Sequence, residues 1–268
     1  MTRVRPAAVA GTFYPDDPRT LTAMIDGLMA SVDPVASDAP PVALIAPHAG
    51  YIYSGPVAAT AYARLVPWRD RIDRVVVVGP PHRVPVRGLA LSSADAWDTP
   101  IGRVDIDREA CDLLLARSGV YTDDRAHAAE HSIEVHVPFL QRVLGDGWRF
   151  VPVIAGGPEA EALADSLSPL WGAERTVVVV STDLSHYHPQ PTARMIDRVT
   201  AEAIVAGQWE ALDSDQACGA SGVRAALELS RRHGEHVHLL DLRNSGDTAG
   251  GADRVVGYAS FLVAAGDG

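Results

Sequence analysis

The residues of this chain best suited to chemistry are histidines that follow short aliphatic runs. "VALIA" at 42–46 leads into Pro47 and His48, "VVVVG" at 75–79 into Pro80, Pro81 and His82, and "VVVVS" at 177–181 into Thr182, Asp183, Leu184, Ser185 and His186. Short continuous aliphatic runs read as strands covered on both faces. In an open α/β sheet, ligands bind in the crevice outside the carboxyl ends of the strands, where short loops bring distant side chains together. Pro47 and Pro81 fix φ in two of these loops and so narrow the freedom of the adjoining imidazoles. One such histidine needs no more than a strand-end carbonyl to bond; three of them predict a shared site.

A further cluster, "HAAEHSIEVHVPFL" at 127–140, supplies His127, Glu130, His131, Glu134 and His136, with Ser132 the expected cap of a helix. It lacks the H-E-x-x-H spacing that puts two zinc ligands on one helical face, which excludes a zincin. Glu130 and His131 are adjacent, so both reach a pocket only from irregular backbone. There they would donate hydrogen bonds or protons to a ligand; otherwise they are the solvated charges of a helix start. The two cysteines differ. Cys111 in "EACDLLL" reads as a small buried thiol without reactivity. Cys218 precedes Gly219 and the helix "ASGVRAALELSRR", whose N-terminus is expected to lower the thiol's pKa and make it a ligand or nucleophile. Two neutral imidazoles and a thiolate suit iron(II), copper or zinc, with all three open, whereas magnesium and calcium want an oxygen cage. Ser54, Ser181 and Ser185 lack the strained elbow of a catalytic serine. No phosphate-binding glycine loop is present, and "NSGDTAGGAD" at 244–253 reads as a mobile loop that could cover a pocket.

The elements that must position these residues alternate. Helices are expected over "DDPRTLTAMIDGLMASV", "GPVAATAYARL", "DREACDLLLARSG", "PEAEALADSLSPLWG", 192–206 and 219–232, with a turn-rich connection at 33–41. Strands are expected in the three aliphatic runs and in "VRGLALS", "WRFVPVIAG", "HVHLLDL" and "RVVGYASFLVA", with "WDTPIGRVDID" a hairpin or excursion. This pattern predicts a three-layer α/β/α sandwich around a mixed, mainly parallel sheet. At 268 residues and 47% hydrophobic, the chain can bury a full core as one domain spanning 1–268. A net charge of −11 opposes nucleic acid and anionic lipid as partners. No apolar run suits a signal peptide or membrane span, and two distant cysteines do not make a disulfide framework, so a cytoplasmic location is expected.

Taken in order, "RPAAVAGTFYP", "APHAGYIYSG", "VVGPPHR", "WDTPIGRVDID", "EHSIEVHVPFL", "STDLSHY", "ACGASGV", and "NSGD" with "VVGYAS" resemble the MEMO family, also called AmmeMemoRadiSam system protein B, over nearly the whole chain. That family is similar in fold to the class III extradiol (LigB-like) dioxygenases, with a nonheme metal pocket at the end of a mixed sheet. The resemblance implies that His48, His82 and Cys218 are the metal ligands, that His186 is the acid/base histidine, and that Asp183, Glu130 and His131 join it as candidate catalytic residues, with Phe13 as a wall. Iron(II) is the first choice of metal, copper or zinc the alternatives. Extradiol dioxygenases complete their ligand set with a carboxylate, whereas this chain offers a sulfur, which points away from catechol ring cleavage. The resemblance therefore implies either a metal-dependent redox enzyme acting on a small molecule, or a module that binds a metal or a (phospho)peptide without turnover. It also implies pathway partners of the radical SAM and AMMECR types.

Overall fold

A computed structural model describes residues 2–33, 39–157 and 159–266, and the centre of the connection expected at 33–41 lies outside them. In chain order the elements are β1 (Val4–Arg5), α1 (Pro18–Ala30), β2 (Ala43–Ala46), α2 (Tyr51–Tyr62), β3 (Arg74–Gly79), β4 (Gly88–Leu91), β5 (Ala96–Thr99), β6 (Gly102–Asp105), α3 (Arg108–Leu115), β7 (Val120–Thr122), α4 (Asp124–Ala128), α5 (Val137–Leu144), β8 (Arg149–Gly156), α6 (Ala160–Leu167), β9 (Thr176–Ser181), β10 (His186–His188), α7 (Gln190–Val205), α8 (Ala220–His233), β11 (Glu235–Asn244) and β12 (Val255–Ala265).

The aliphatic runs do become the centre of a sheet. β2, β9, β3 and β8 lie side by side and parallel, and every residue of β2 and β9 is buried, as continuous apolar strands require. Antiparallel neighbours flank them, β12 beside β2 and β4 beside β8. β7 extends β4 in parallel, while β11 and β10 pair antiparallel with β12. The nine-stranded sheet is therefore mixed but not mainly parallel as expected: its parallel pairing is concentrated in the middle and matched by antiparallel pairing toward the edges. The connection from β11 to β12, residues 245–254, is too short for a parallel crossover, so that flank is a hairpin. Helices cover the sheet in the manner of an α/β sandwich: α2 packs on β2 and β12, α8 on β8 and β9. A single apolar cluster reaches from Val9 to Val263.

Two details set up the crevice. α2 starts at Tyr51, four residues before the expected Gly55, so β2 and α2 are joined only by Pro47–Gly50 and His48 has little room to move. Gly219 is required by contact: a Cβ there would lie 2.2 Å from the Ser181 carbonyl oxygen and 2.7 Å from the Thr182 Cβ, so only glycine lets the start of α8 press against the end of β9.

Candidate metal centre

Because β2, β3 and β9 are parallel, their carboxyl ends open at one end of the sheet, and the loops after them converge. His48 is 2% exposed. Its backbone N–H donates to Asp183 Oδ1 at 2.8 Å, its Nδ1 lies 2.6 Å from Ser181 Oγ, and its Nε2 faces Cys218 Sγ at 3.4 Å. Burial holds its pKa well below the usual value, and the neighbouring His131, His82, His136 and His186 rings add to the effect. The ring is neutral at pH 7, with no proton for a metal to displace.

His82 is steadied by a charge. Glu130, 1% exposed, accepts the His82 N–H at 2.6 Å and His82 Nδ1 at 2.9 Å, and also the backbone N–H groups of Arg83 (3.2 Å), His131 (3.0 Å) and Ser132 (3.1 Å). Burial opposes ionisation of this carboxyl, but the hydrogen bonds outweigh it and hold the pKa at about 2. Glu130 is thus an ionised acceptor, and the expectation that it donates to a ligand does not fit its surroundings. The His131 ring stacks on His82 at 4.6 Å between centroids and meets Phe13 at 4.5 Å, with its pKa lowered to about 4 by burial. Ser132 is not a helix cap: its hydroxyl donates to the Pro80 carbonyl at 2.8 Å, and the turn at Glu134–His136 before α5 has no side-chain cap.

Cys218 does not behave as its position before a helix suggests. Its sulfur accepts the Asp183 N–H at 3.2 Å and lies 3.9 Å from Thr182 Oγ1. Burial pushes its thiol up to about 12 and the Asp183 carboxyl adds to this, against smaller help from the Asp183 and Gly219 amides and the Thr182 hydroxyl. The helix start is too weak to offset removal from water, so the free thiol is protonated and a bound cation would have to displace its proton. Cys111, as expected, is a buried thiol, raised to about 11. Asp183 is buried too, which raises its carboxyl to about 7 against the amides of His48 and Ala49. His186 opens β10 with its ring bonded to the Leu184 carbonyl, and burial lowers its pKa. The glycine-rich segment is pinned at its start, where Asn244 and Asp247 form a reciprocal cap and both accept from Gln190 at 3.0 Å.

Among the described residues, one ligand atom each from His48, His82 and Cys218 lie within 4.8 Å of one another, and so do those of His82, Glu130 and His131. The Glu130 oxygens are already saturated by five donors, which leaves the first trio as the set able to share an ion. Two imidazole nitrogens and a sulfur fit a first-row transition metal or zinc. His186 is not among these gathered atoms. Sequence reasoning missed Ser181 and His136, which support His48 from behind: Ser181 Oγ also contacts His136 Nε2 at 2.7 Å, and His136 Nδ1 contacts the Tyr62 hydroxyl at 2.6 Å. The one available signal was that Ser181 ends the aliphatic run at 177–181, as a polar residue at the close of a buried strand.

The Memo-like protein family matches residues 5–262. A MEMO1 family protein of Methanopyrus kandleri is 38% identical, covering 96% of this chain and 98% of its own, and one of Methanothermobacter thermautotrophicus is 39% identical, covering 96% and 99%. One of Aquifex aeolicus is 35% identical, covering 97% and 99%. With a match over nearly the whole chain and relatives covered over nearly their whole length, this protein belongs to the Memo family.

Proposed function

We propose that this protein is a metal-dependent redox enzyme of the dioxygenase-like type, with iron(II), or else copper, held by His48, His82 and Cys218, a donor set that would also take zinc without redox chemistry. The observation that carries the reading is the meeting of those three donors, from the loops after β2 and β3 and before α8, at the open end of the parallel strands. A mixed sheet with helices packed on it and a cluster of potential ligands after its parallel strands supports kinship with the class III extradiol fold. The metal, when bound, would supply Lewis acidity and, as iron or copper, one-electron chemistry. The chain's own residues do the rest. Asp183 holds the His48 backbone through its carboxylate and the Cys218 sulfur through its amide, fixing two ligands relative to one another. Glu130 aims His82. His186, neutral because buried, takes or returns the substrate's proton, and Phe13 with His131 walls off water.

Metal analysis after anaerobic purification tests this directly. The parent protein should carry about one metal per chain, and Cys218→Ser and His48→Ala should each lose it; metal retained in both variants would refute the ligand set. Oxygen uptake across catechols, thiols and peptides then tests for turnover, which His186→Ala should abolish while keeping the metal. A second reading, capture of an anionic peptide side chain without turnover, is favoured by the exposed Tyr187 beside His186, with the Arg254 guanidinium 5.1 Å from its ring. Oxygen uptake would exclude that reading.

A further inference from the structure

We infer that Ser181 is a positioning residue that locks His48 into one tautomer, with its proton on Nδ1 and its Nε2 lone pair turned to the crevice. The inference rests on the metal reading only for what the lone pair is used for. Ser181 Oγ has three close polar neighbours: the Ser132 carbonyl oxygen at 2.6 Å, His48 Nδ1 at 2.6 Å and His136 Nε2 at 2.7 Å. A hydroxyl has one proton and two lone pairs. A carbonyl cannot donate, so the hydroxyl proton goes to Ser132. Given to a ring nitrogen instead, it would leave two oxygens facing each other at 2.6 Å with no hydrogen between them. Both imidazoles must then donate: His48 through Nδ1–H and His136 through Nε2–H.

The rest of the cluster obeys the same accounting. With its proton on Nε2, neutral His136 offers a lone pair at Nδ1, and the Tyr62 hydroxyl is there to fill it at 2.6 Å. Ser181, His136 and His48 are 0%, 1% and 2% exposed, so water does not supply an alternative donor. His48 is left with one unassigned atom, Nε2, and that atom faces Cys218 Sγ at 3.4 Å. The arrangement also fixes direction. Hydrogen bonds run from Tyr62 through His136 to Ser181 and from His48 to Ser181, and they leave together at Ser132. Two lines that converge cannot pass a proton from His48 to Tyr62 unless Ser181 first lets go of the Ser132 carbonyl. Ser181 is therefore a lock and not a link in a proton wire, and Tyr62 acts only on His136.

Imidazole nitrogen–proton correlation spectra of the metal-free, histidine-labelled parent protein read the tautomers without any metal. The lock requires His48 protonated on Nδ1 and His136 on Nε2; His48 found protonated on Nε2 overturns it. Zinc(II) affinity, measured by chelator competition, reads the consequence. Ser181→Ala should weaken zinc by about 10–100-fold, the usual cost of losing a group that orients a ligand histidine, and Ser181→Thr, which keeps the hydroxyl, should recover most of it. Tyr62→Phe should leave both the His48 tautomer and the zinc affinity unchanged. Parent affinity in Ser181→Ala, with zinc lost in His48→Ala, overturns the lock and leaves the metal centre standing. Equal zinc binding by the parent and His48→Ala removes the metal centre, and the spectra alone then uphold or overturn the lock.

Discussion

His48 and His82 occupy equivalent places after parallel strands, yet the chain holds them by opposite means. His48 is buried and backed by neutral groups, Ser181, His136 and Tyr62. His82 has a side chain 29% exposed and is backed by an ionised carboxylate that also ties down three further backbone amides. Burying an ion is costly, so a carboxylate serves as a backing group where many donors can compensate it. Residues 82–83 and 131–132 provide them, closing around the carboxylate from two sides. Behind the His48 ring a hydroxyl between two imidazoles provides orientation without charge, while the Asp183 carboxyl holds only the backbone amides of His48 and Ala49. A rigid neutral corner thus faces an ionic and more open one.

Removing the ionic corner should have the largest effect. Glu130→Ala strands the amides of His82, Arg83, His131 and Ser132 together with His82 Nδ1, and breaking a buried charged network of this kind costs about 3–5 kcal/mol. Urea denaturation measures it; a loss below about 1 kcal/mol would mean that water replaces the carboxylate freely and that the two corners do not differ in kind.

Acid separates the corners next. Glu130 is depressed from 4.5 to about 2 in the folded state, so its stabilisation is full above the unfolded pKa and is lost as pH falls from about 4.5 through 2, in total about 3 kcal/mol. His136 is depressed from 6.5 to about 3 by burial. The unfolded chain takes up that proton first, so its loss of stability on acidification has the same sign and starts earlier, below about 6.5. Asp183, raised from 3.8 to about 7, acts with the opposite sign between those values and does so in every variant that keeps it. Glu130→Gln should therefore flatten the pH profile of stability only below about 4.5, whereas His136→Gln should flatten it from about 6.5 down to 3. Profiles parallel to the parent's in both variants would erase the distinction.

The smallest effect belongs to Tyr62→Phe, which leaves one buried nitrogen of His136 without its donor and should cost about 1 kcal/mol. A cost as large as that of Glu130→Ala, measured in the same titration, would mean that the neutral corner is as demanding as the ionic one.

What could be read from the sequence divides along the same line. His48 and His82 were visible because the strands before them are continuous aliphatic runs, and burial on both faces leaves such a strand one place to present a polar side chain, its end. The supporting groups were hidden. Ser181 was weighed as a nucleophile and set aside, and His136 was one member of the 127–140 cluster with no role of its own, because their roles arise from β9, β2 and the turn before α5 meeting in space. The expected cap at Ser132 and the expected thiolate at Cys218 failed for a related reason. Both were local inferences from a helix start, and in both tertiary contacts decided: the Pro80 carbonyl takes the hydroxyl, and burial keeps the thiol protonated.

The order of the strands bears on how the site comes into being. β2, which delivers His48, lies between β9 and β12, so its pairing partners are residues 176–181 and 255–265. During synthesis, His48 and His82 leave the ribosome long before Cys218 and before either partner strand exists. Pairings this distant make folding slow and late, and a nascent chain holds two loose imidazoles in place of a metal pocket. The three donors can therefore gather only after β12 has been made and has paired with β2.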